Sequence, residues 1–287
     1  MKILITGSNG QLGNEMRVVS KNDSNEYIFT DVCELDITNE NSVNEFLLKE
    51  KPDFVVNCAA YTDVNKAESD IEKARLINAK APEILANGCK SINSIFIHIS
   101  TDYVFDGNSF IPYTESDKEN PVSAYGITKF EGEQNIVNSG CKYVIIRTCW
   151  LYSSFGKNFV KTMMNLGSTK SEIGVIFDQV GTPTYAADLA NAICSIINKS
   201  VNCELKQGIY HFSNEGVCSW YDFAVAIMKI NKLNCKVKPL HTEDYPTPAK
   251  RPAYSVLDKS KIKNNFGIEI PHWYESLEKC IDLLKQN

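Results

Sequence analysis

Short apolar segments alternate with longer amphipathic segments through the first half of the chain. The apolar segments are too short for helices and end at glycine or polar residues, so they are predicted to be buried strands. These segments comprise residues 2–6, 27–30, 53–58, 94–99 and 143–147. Helical periodicity predicts helices between them, at residues 11–19, 40–49, 69–89 and 124–138. This alternation is typical of a parallel sheet connected through helices, which binds ligands at the carboxyl ends of its strands.

The alternation becomes less regular after Trp150. Here the pattern predicts helices at residues 158–166, 185–198, 219–230 and 273–285, with short strands at 173–177, 208–212 and 237–240. We therefore predict an α/β fold with two domains. A Rossmann-like, doubly wound parallel sheet is formed by residues 1–150 and completed by about residues 172–200, and a smaller mixed α/β substrate domain is formed by residues 151–171 and 201–287.

Composition and charge narrow the classes of protein. The chain has 287 residues and a formal net charge of −5, and this charge argues against nucleic acid as the main partner because nucleic-acid-binding proteins usually present a basic surface. No apolar run approaches the ~18 residues of a membrane span, and the first residues lack the regions of a signal peptide. We expect a cytoplasmic protein that has no membrane-bound state.

The cysteines suggest a reducing compartment and no metal. All 10 are scattered singly, and none is spaced like a metal ligand with any of the 4 histidines. Free, mostly buried thiols are the simplest interpretation.

Three glycines follow the first predicted strand. Gly7, Gly10 and Gly13 form a Gly-x-x-Gly-x-x-Gly motif that leads into the first predicted helix, one residue longer than the usual dinucleotide fingerprint. Glycines permit a tight turn and the close approach of a pyrophosphate, whose charge the helix amides can hold. Such a turn can also simply pack a helix on a strand, but its position directly after an N-terminal strand favours a dinucleotide site.

Residues at the ends of the next strands fit the same ligand. Asp31 ends the second strand about ~20 residues beyond the glycines, where a carboxylate can hydrogen-bond the adenosine ribose hydroxyls and repel a 2′-phosphate. This favours NADH over NADPH, although a turn aspartate at the strand end explains Asp31 equally well. The small residues Cys58, Ala59 and Ala60 leave room for a cofactor close to the backbone.

Tyr125 and Lys129 form a candidate acid pair. Residues four apart lie on one face of a helix, and Tyr125 is the only tyrosine with a lysine four positions later. A cation beside a phenol lowers its pKa from the ordinary ~10, which suits proton transfer to or from an alcohol or carbonyl oxygen. Two surface residues of an amphipathic helix are the alternative. Thr101 and Asp102 follow the fourth predicted strand and should point into the same crevice.

A proline-rich loop near the C-terminus carries adjacent positive charges. Prolines at positions 246, 248 and 252 stiffen the segment that holds Lys250 and Arg251. It could serve as an anion clamp or as a solvated linker.

Taken together, these motifs resemble the extended short-chain dehydrogenase/reductases over nearly the full length of the chain. The resemblance rests on the three glycines, Thr101, and the Tyr-x-x-x-Lys pair of Tyr125 and Lys129. Several longer motifs are similar to those of the sugar-nucleotide reductases within that family. They comprise residues 100–107, 147–152, 158–159, 178–179, 181–184 and 251–252.

The resemblance implies an NADH- or NADPH-dependent reduction of the C4 ketone of dTDP-4-dehydro-6-deoxy-L-mannose to dTDP-L-rhamnose, the last step of dTDP-rhamnose synthesis. Tyr125 would donate the proton, Lys129 would bind the nicotinamide ribose and lower the tyrosine pKa, and Thr101 would hydrogen-bond the reacting oxygen. The implied cofactor contacts are Gly7, Gly10, Gln11, Leu12, Gly13, Asp31, Asp36, Ile37, Ala60, Tyr61, Thr62, Tyr125 and Lys129. The implied substrate contacts are Thr101, Asp102, Trp150, Asn158 and Arg251.

Two related possibilities stay open at this point. Some family members carry a magnesium ion at a dimer interface, where glutamates hold it. Glu15 matches one of these glutamates, but Ala187, beside Asp188, stands where another is expected. We therefore predict no metal and leave a homodimer possible.

The alternative functions are a sugar-nucleotide epimerase or dehydratase, and a regulatory subunit like the beta subunit of methionine adenosyltransferase. Dehydratases of the family carry Asp-Glu after the threonine, whereas this chain has Asp102-Tyr103, and the motifs that a regulatory subunit could lose are all present.

Overall fold

A computed structural model describes residues 1–286. Its strands are β1 (Lys2–Thr6), β2 (Glu26–Thr30), β3 (Phe54–Asn57), β4 (Ile95–Thr101), β5 (Lys142–Thr148), β6 (Leu151–Tyr152), β7 (Glu172–Ile176), β8 (Val180–Gly181), β9 (Thr184–Tyr185), β10 (Gly208–His211), β11 (Cys218–Ser219) and β12 (Lys236–Leu240). Its α-helices are α1 (Gln11–Ser20), α2 (Glu40–Glu50), α3 (Val64–Ala67), α4 (Ile71–Arg75), α5 (Ala81–Ser91), α6 (Ala124–Ser139), α7 (Phe159–Thr169), α8 (Ala186–Asn202), α9 (Trp220–Ile230), α10 (Ser260–Phe266) and α11 (Trp273–Gln286). A π-helical turn at Leu76–Lys80 joins α4 to α5, and short 3₁₀ turns lie at Asp102–Val104 and Thr242–Asp244.

Six parallel strands form the central sheet, in the order β2-β1-β3-β4-β5-β10. Successive side chains of β1 enter opposite cores: Ile3 and Ile5 pack with α1, α8 and α10, whereas Leu4 packs with α2 and α5. A parallel sheet buried on both faces needs strands that are apolar throughout, which is why these segments read as continuous apolar runs. The predicted doubly wound α/β fold is confirmed.

The strand order reverses between β1 and β3. The chain passes from β1 to β2 on one side and then returns through α2 to β3 on the other side of β1. Connections that leave in opposite directions open a crevice above the carboxyl ends of the two strands, which is where open α/β sheets bind ligands.

A second hydrophobic core lies outside the central sheet. It contains buried side chains of α7, α9 and α11 together with β7, which pairs in parallel with β12. The start of α9 is stabilised by a capping box, in which Ser219 and Asp222 each accept the other's backbone N–H.

Two strands lie in a different core from the one that the sequence pattern suggests. Residues 201–287 are predicted to belong to the smaller domain, but β10 pairs with β5 in the central sheet. The reason is that apolar side chains of β10 join the core of that sheet. β7 pairs with β12 although residues 172–200 were assigned to the larger domain. The two-domain division itself stays a prediction. Within residues 1–286, none of the helices combines the length and apolar character needed to cross a membrane.

Candidate active site

A cleft of about 900 Å³ lies above the carboxyl ends of the central strands. Its floor is formed by the ends of β1, β3, β4 and β5, and one wall is formed by the smaller core. All but two of the site residues predicted from the sequence line it. They are Gly7, Gly10, Gln11, Leu12, Asp31, Asp36, Ile37, Ala60, Thr62, Thr101, Asp102, Tyr125, Lys129, Trp150, Asn158 and Arg251.

The glycine turn brings backbone atoms to the cleft. Gly7 has a φ of 65°, and a Cβ at this position would lie 2.5 Å from the backbone nitrogen of Ala59. The Gly10 amide donates to the Gly7 carbonyl oxygen at 3.1 Å, and α1 then begins without a side-chain cap. The free amides at this helix start suit an anion. The turn therefore fits the pyrophosphate of a dinucleotide.

Asp31 lies beside this turn. Its carboxylate accepts the backbone N–H of Asn9 and that of Val32, each at 2.9 Å. The aspartate thus shapes the turn and also lines the cleft, so both interpretations of Asp31 from the sequence are compatible with its position.

Helix α6 presents the tyrosine and the lysine. Its first turn is capped by the Ser123 hydroxyl, which accepts the N–H of Gly126 at 3.2 Å. A Cβ on Gly126 would lie 2.3 Å from the carbonyl oxygen of Tyr103, so only glycine lets α6 approach the 3₁₀ turn this closely. As a result, the Tyr125 ring packs edge-on against Tyr103, with centroids 5.4 Å apart.

Burial controls the protonation of the candidate acid pair. Burial raises the pKa of Tyr125 above its usual value, although a hydrogen bond with Thr101 opposes the rise. This direction is opposite to the one predicted from the neighbouring lysine. Burial also lowers the pKa of Lys129 to about 8, which Glu133 opposes. The Lys129 amine donates to the Ile99 carbonyl oxygen at 2.6 Å.

Asp102 supplies a second titratable group in the cleft. It is buried, and its Oδ1 accepts the Thr101 hydroxyl at 3.0 Å. Burial raises the pKa of Asp102 to about 6, and hydrogen bonds from Ser255 and Thr101 oppose that rise.

Aromatic and basic side chains form the opposite wall. The rings of Trp150 and Trp220 stack with centroids 3.6 Å apart and 12° between their planes. Arg251 donates to the Tyr103 hydroxyl at 3.2 Å, which brings the proline-rich loop to the cleft. Asn158 caps α7 and donates to Gln11 Oε1 at 2.9 Å, so it connects this wall to the glycine turn.

Comparison with known proteins shows which family carries this arrangement. A family model described as the RmlD substrate binding domain matches residues 1–286. A dTDP-4-dehydrorhamnose reductase from Aggregatibacter actinomycetemcomitans is 41% identical over 285 residues, which cover 96% of this chain and 97% of that protein. The chain belongs to the dTDP-4-dehydrorhamnose reductase family. The family resemblance inferred from the sequence motifs is thereby confirmed.

Solved structures agree with this family membership. The crystal structure of a dTDP-4-dehydrorhamnose reductase from Clostridium acetobutylicum has 48% identity and a TM-score of 0.95, covering 99% of this chain and 100% of that chain. A dTDP-4-dehydrorhamnose reductase from Bacillus anthracis, solved in complex with NADP, has 37% identity and a TM-score of 0.93, covering 98% and 99%.

Two residues carried over from the family motif do not line the cleft. Gly13 packs beneath the glycine turn, where a Cβ would lie 2.5 Å from Ser8 Cα. Tyr61 turns its hydroxyl toward Asp70, and its backbone N–H donates to Asn78 Oδ1 at 2.8 Å. Both residues therefore support neighbouring cleft residues from behind.

Other residues reach the cleft without a sequence signal. Trp220 stands at the start of α9, and Lys73 belongs to α4, yet both line the cleft. Neither belongs to a motif that this chain shares with the reductase family. The sequence Trp-Tyr-Asp after Ser219 is typical of the start of a helix and gives no sign of a binding site. The packing of the second core places its tryptophan, Trp220, beside Trp150.

The residues considered for magnesium have protein partners. Glu15 is buried and accepts the Ser153 hydroxyl at 2.6 Å, and burial raises the pKa of this glutamate. Asp188 accepts hydrogen bonds from Asn214 at 2.7 Å and Ser276 at 2.5 Å. Among residues 1–286, no group of three or more His, Cys, Asp or Glu side chains is arranged to hold a metal ion.

Proposed function

We propose that this chain catalyses the NADH- or NADPH-dependent reduction of the C4 ketone of dTDP-4-dehydro-6-deoxy-L-mannose, which gives dTDP-L-rhamnose. The observation that carries the proposal is that Thr101, Tyr125 and Lys129 line the same cleft as the glycine turn. Family membership supports it, since several relatives at 36–41% identity are named dTDP-4-dehydrorhamnose reductase.

The residues suited to hold the dinucleotide lie at the ends of β1 and β2. Backbone amides at the start of α1 would hold the pyrophosphate, and Asp31, which also lines the cleft, would hydrogen-bond the adenosine ribose. When bound, a reduced nicotinamide supplies the hydride that the C4 carbon receives. Lys129, which donates to the Ile99 carbonyl oxygen, would hold the nicotinamide ribose.

Tyr125 acts as the general acid. The ketone oxygen gains negative charge as its carbon is reduced, and the phenol donates a proton to it, so that the product is an alcohol and the tyrosine is left as a phenolate to be reprotonated from solvent. Because burial raises the pKa of Tyr125, the phenol is protonated at neutral pH, which is the form that an acid requires. The Thr101 hydroxyl, which donates to Asp102 Oδ1 in the structure, would turn its proton to the same oxygen.

The opposite wall suits a nucleoside diphosphate sugar. Asp102, Trp150, Asn158 and Arg251 all line the cleft. Asp102 and Trp150 would contact the sugar, and Asn158 and Arg251 would contact the nucleotide and its diphosphate. Arg251 offers a guanidinium, which is well matched to phosphate oxygens.

Tyr103 favours reduction over dehydration. Elimination of water needs an additional acid–base residue, and the related dehydratases place a glutamate directly after the aspartate. Here burial raises the pKa of Tyr103 to about 12, so its phenol stays neutral at neutral pH and does not act as a base.

A nicotinamide oxidation assay tests the function. We expect the purified protein to oxidise NADH or NADPH only when a dTDP-4-keto-6-deoxyhexose is supplied, and a panel of dTDP- and UDP-keto-sugars then defines the nucleotide and the sugar. Isomerised sugar without net oxidation of the cofactor would instead indicate an epimerase. No reaction with either cofactor would favour a regulatory subunit.

Cofactor choice is the subject of a second assay. The Asp31 carboxylate disfavours a 2′-phosphate and supports NADH, whereas the complex of the Bacillus anthracis relative with NADP supports NADPH. Our proposal is NADH, and the comparison is between the kcat/KM values for the two cofactors. A clear NADPH preference would contradict this role of Asp31.

The cellular setting completes the proposal. All 10 cysteines are free thiols, which suits a reducing cytoplasm. The partner is the small dTDP-sugar, and sedimentation of the purified chain will distinguish a monomer from a homodimer.

A further inference from the structure

Trp150 has a backbone conformation that is rare for a bulky residue. Its φ is 48°, in the left-handed region that favours glycine. Among residues 1–286, the other non-glycine residues with a positive φ are Lys51, Asn93 and Lys232, and each lies close to the end of a helix, where this conformation is common. Trp150 instead lies between β5 and β6 and lines the cleft. Such a conformation persists only where the surroundings enforce it, and it is concentrated at functional sites.

The surroundings of Trp150 restrain both its backbone and its ring. Its carbonyl oxygen accepts the backbone N–H of Thr184 at 3.1 Å. The Trp220 indole stacks on its ring, with centroids 3.6 Å apart and 12° between the planes. Gly181 leaves space for the indole, because a Cβ at this glycine would lie 2.8 Å from Trp150 Cε2. The first contact fixes the backbone, and the other two fix the direction in which the indole points.

The stacking partner and the space for the indole come from the same small sheet. Gly181 belongs to β8, where its neighbour Val180 pairs with Ser219 on β11. The capping box of Ser219 then starts α9, whose first residue is Trp220. Phe159 packs against the Trp220 ring, with centroids 4.7 Å apart. The position of Trp220 is therefore set by strand pairing, a helix cap and the second core.

We propose that Trp220 is a positioning residue for the sugar. It holds Trp150 in the left-handed conformation, so that the two indoles form a fixed apolar wall beside the sugar ring. This deepens the proposed function and rests on it, since it is there that Trp150 contacts the sugar. Both tryptophans are half-buried and line the cleft, so part of the pair is open to a ligand.

The chemistry of the sugar suits such a wall. A 6-deoxyhexose presents ring C–H groups and a methyl group, which gain free energy by leaving water for an aromatic surface. A wall that is already in place loses no side-chain freedom when the sugar binds, and this improves affinity. Removal of the stacking partner should therefore weaken sugar binding even though Trp150 itself is unchanged.

Nuclear magnetic resonance tests the stack without substrate or cofactor. The chain has 3 tryptophans, so their indole N–H signals can be assigned with Trp150→Phe, Trp220→Phe and Trp273→Phe. In Trp220→Ala the Trp150 signal loses the ring current of its neighbour and should be displaced, whereas the Trp273 signal should stay in place. A Trp150 signal that does not respond to Trp220→Ala would overturn the inference.

Calorimetry tests whether the stack acts on the sugar. The contribution of the sugar is the ratio of the Kd for dTDP to the Kd for dTDP-L-rhamnose. Trp220→Ala should lower this ratio about threefold to tenfold, the value of an aromatic pair, and Trp220→Phe, which keeps a ring to stack on, should recover most of it. The Kd for NADH should stay close to that of the unaltered protein, because Asp31 and the glycine turn have hydrogen bonds of their own.

Two further variants separate this role from simple packing. Trp273→Phe removes an indole from the second core at a position that does not line the cleft, so the ratio should be unchanged. Gly181→Ala keeps all tryptophans and displaces the Trp150 indole from the other side, since the added Cβ would lie 2.8 Å from Cε2. It should lower the same ratio and displace the same signal, and it serves as the test if Trp220→Ala does not fold.

The outcomes distinguish the two proposals. If the unaltered protein bound dTDP-L-rhamnose no better than dTDP, the proposed function and the sugar role of Trp220 would both be wrong. If it bound dTDP-L-rhamnose better, and both Trp220→Ala and Gly181→Ala kept the ratio, only the role of Trp220 would be wrong. An equal loss in Trp273→Phe would show that the second core acts as a whole and that the stack has no separate role.

Discussion

Replacing Tyr125 with phenylalanine removes the proposed acid and leaves the walls of the cleft in place. The ring would still pack edge-on against Tyr103, at 5.4 Å between centroids, and beside Ala67, Ala74 and Ala124. Lys129 keeps its bond to the Ile99 carbonyl oxygen, and the glycine turn is not touched. Tyr125→Phe should therefore fold and bind the cofactor as before.

The expected loss lies in turnover. A general acid contributes about 10²–10⁴-fold, which corresponds to about 3–5 kcal/mol of transition-state stabilisation. Burial raises the pKa of Tyr125, so its phenol is protonated in the unaltered protein at neutral pH. The full general-acid contribution to kcat should therefore be lost in the variant at neutral pH. The measurements are kcat from oxidation of the reduced nicotinamide with the keto-sugar, and the cofactor Kd from calorimetry.

Tyr103→Phe is the matched control for this variant. It removes a partly buried phenol oxygen from the neighbouring ring, and this oxygen accepts from Arg251 at 3.2 Å. Loss of one such hydrogen bond should cost about tenfold or less. If Tyr125→Phe retained turnover within the range of this control, Tyr125 would not be the acid. Asp102, with a pKa raised to about 6, would then be the next group to test.

Two further predictions concern buried charges. Glu133→Gln removes a partner of the buried Arg147 guanidinium and should lower the free energy of unfolding by about 3–5 kcal/mol. Glu131→Gln, at the partly exposed pair with Arg75, is the control and should change the free energy of unfolding by about 1 kcal/mol or less. Equal effects of the two variants in chemical denaturation would contradict this prediction. Burial raises the pKa of Asp102 from 3.8 to about 6, so its contribution to stability is present below the unfolded pKa and is lost as the pH rises through about 6. Asp102→Asn should accordingly raise the free energy of unfolding at pH 7 by up to about 3 kcal/mol. If the variant and the unaltered protein showed the same pH dependence of Tm between about pH 4 and 7, burial would not disfavour the Asp102 carboxylate.

Much of the central sheet and of its flanking helices could be predicted from local patterns. The strand at Lys2–Thr6 and the helix at Gln11–Ser20 are bounded by the glycine turn, and the predicted limits agree to within one residue. Such elements depend on periodicity and turn residues, which are properties of a short stretch of chain. The tyrosine–lysine spacing on α6 is equally local.

Strand partners could not be predicted in the same way. β10 and β7 are both short apolar segments, and nothing in either indicates the sheet to which it belongs. Their places depend on which core has an open edge once the other elements have packed, as the pairing of β10 with β5 illustrates. The aromatic wall has the same origin, since Trp150 and Trp220 meet only when the smaller core forms.

Neighbours within a few positions dictate the main strands and helices of the central sheet, the glycine turn and the choice of residues that could carry a hydride-transfer site. The electrostatics of that site depend instead on the tertiary fold. Tyr125 and Lys129 were expected to form a cation beside an acidified phenol, but burial disfavours both charged forms, raising the pKa of the tyrosine and lowering that of the lysine. Desolvation depends on everything that surrounds a group, and the surroundings of Lys129 include His98 and Ile99 on β4, some 30 residues away along the chain.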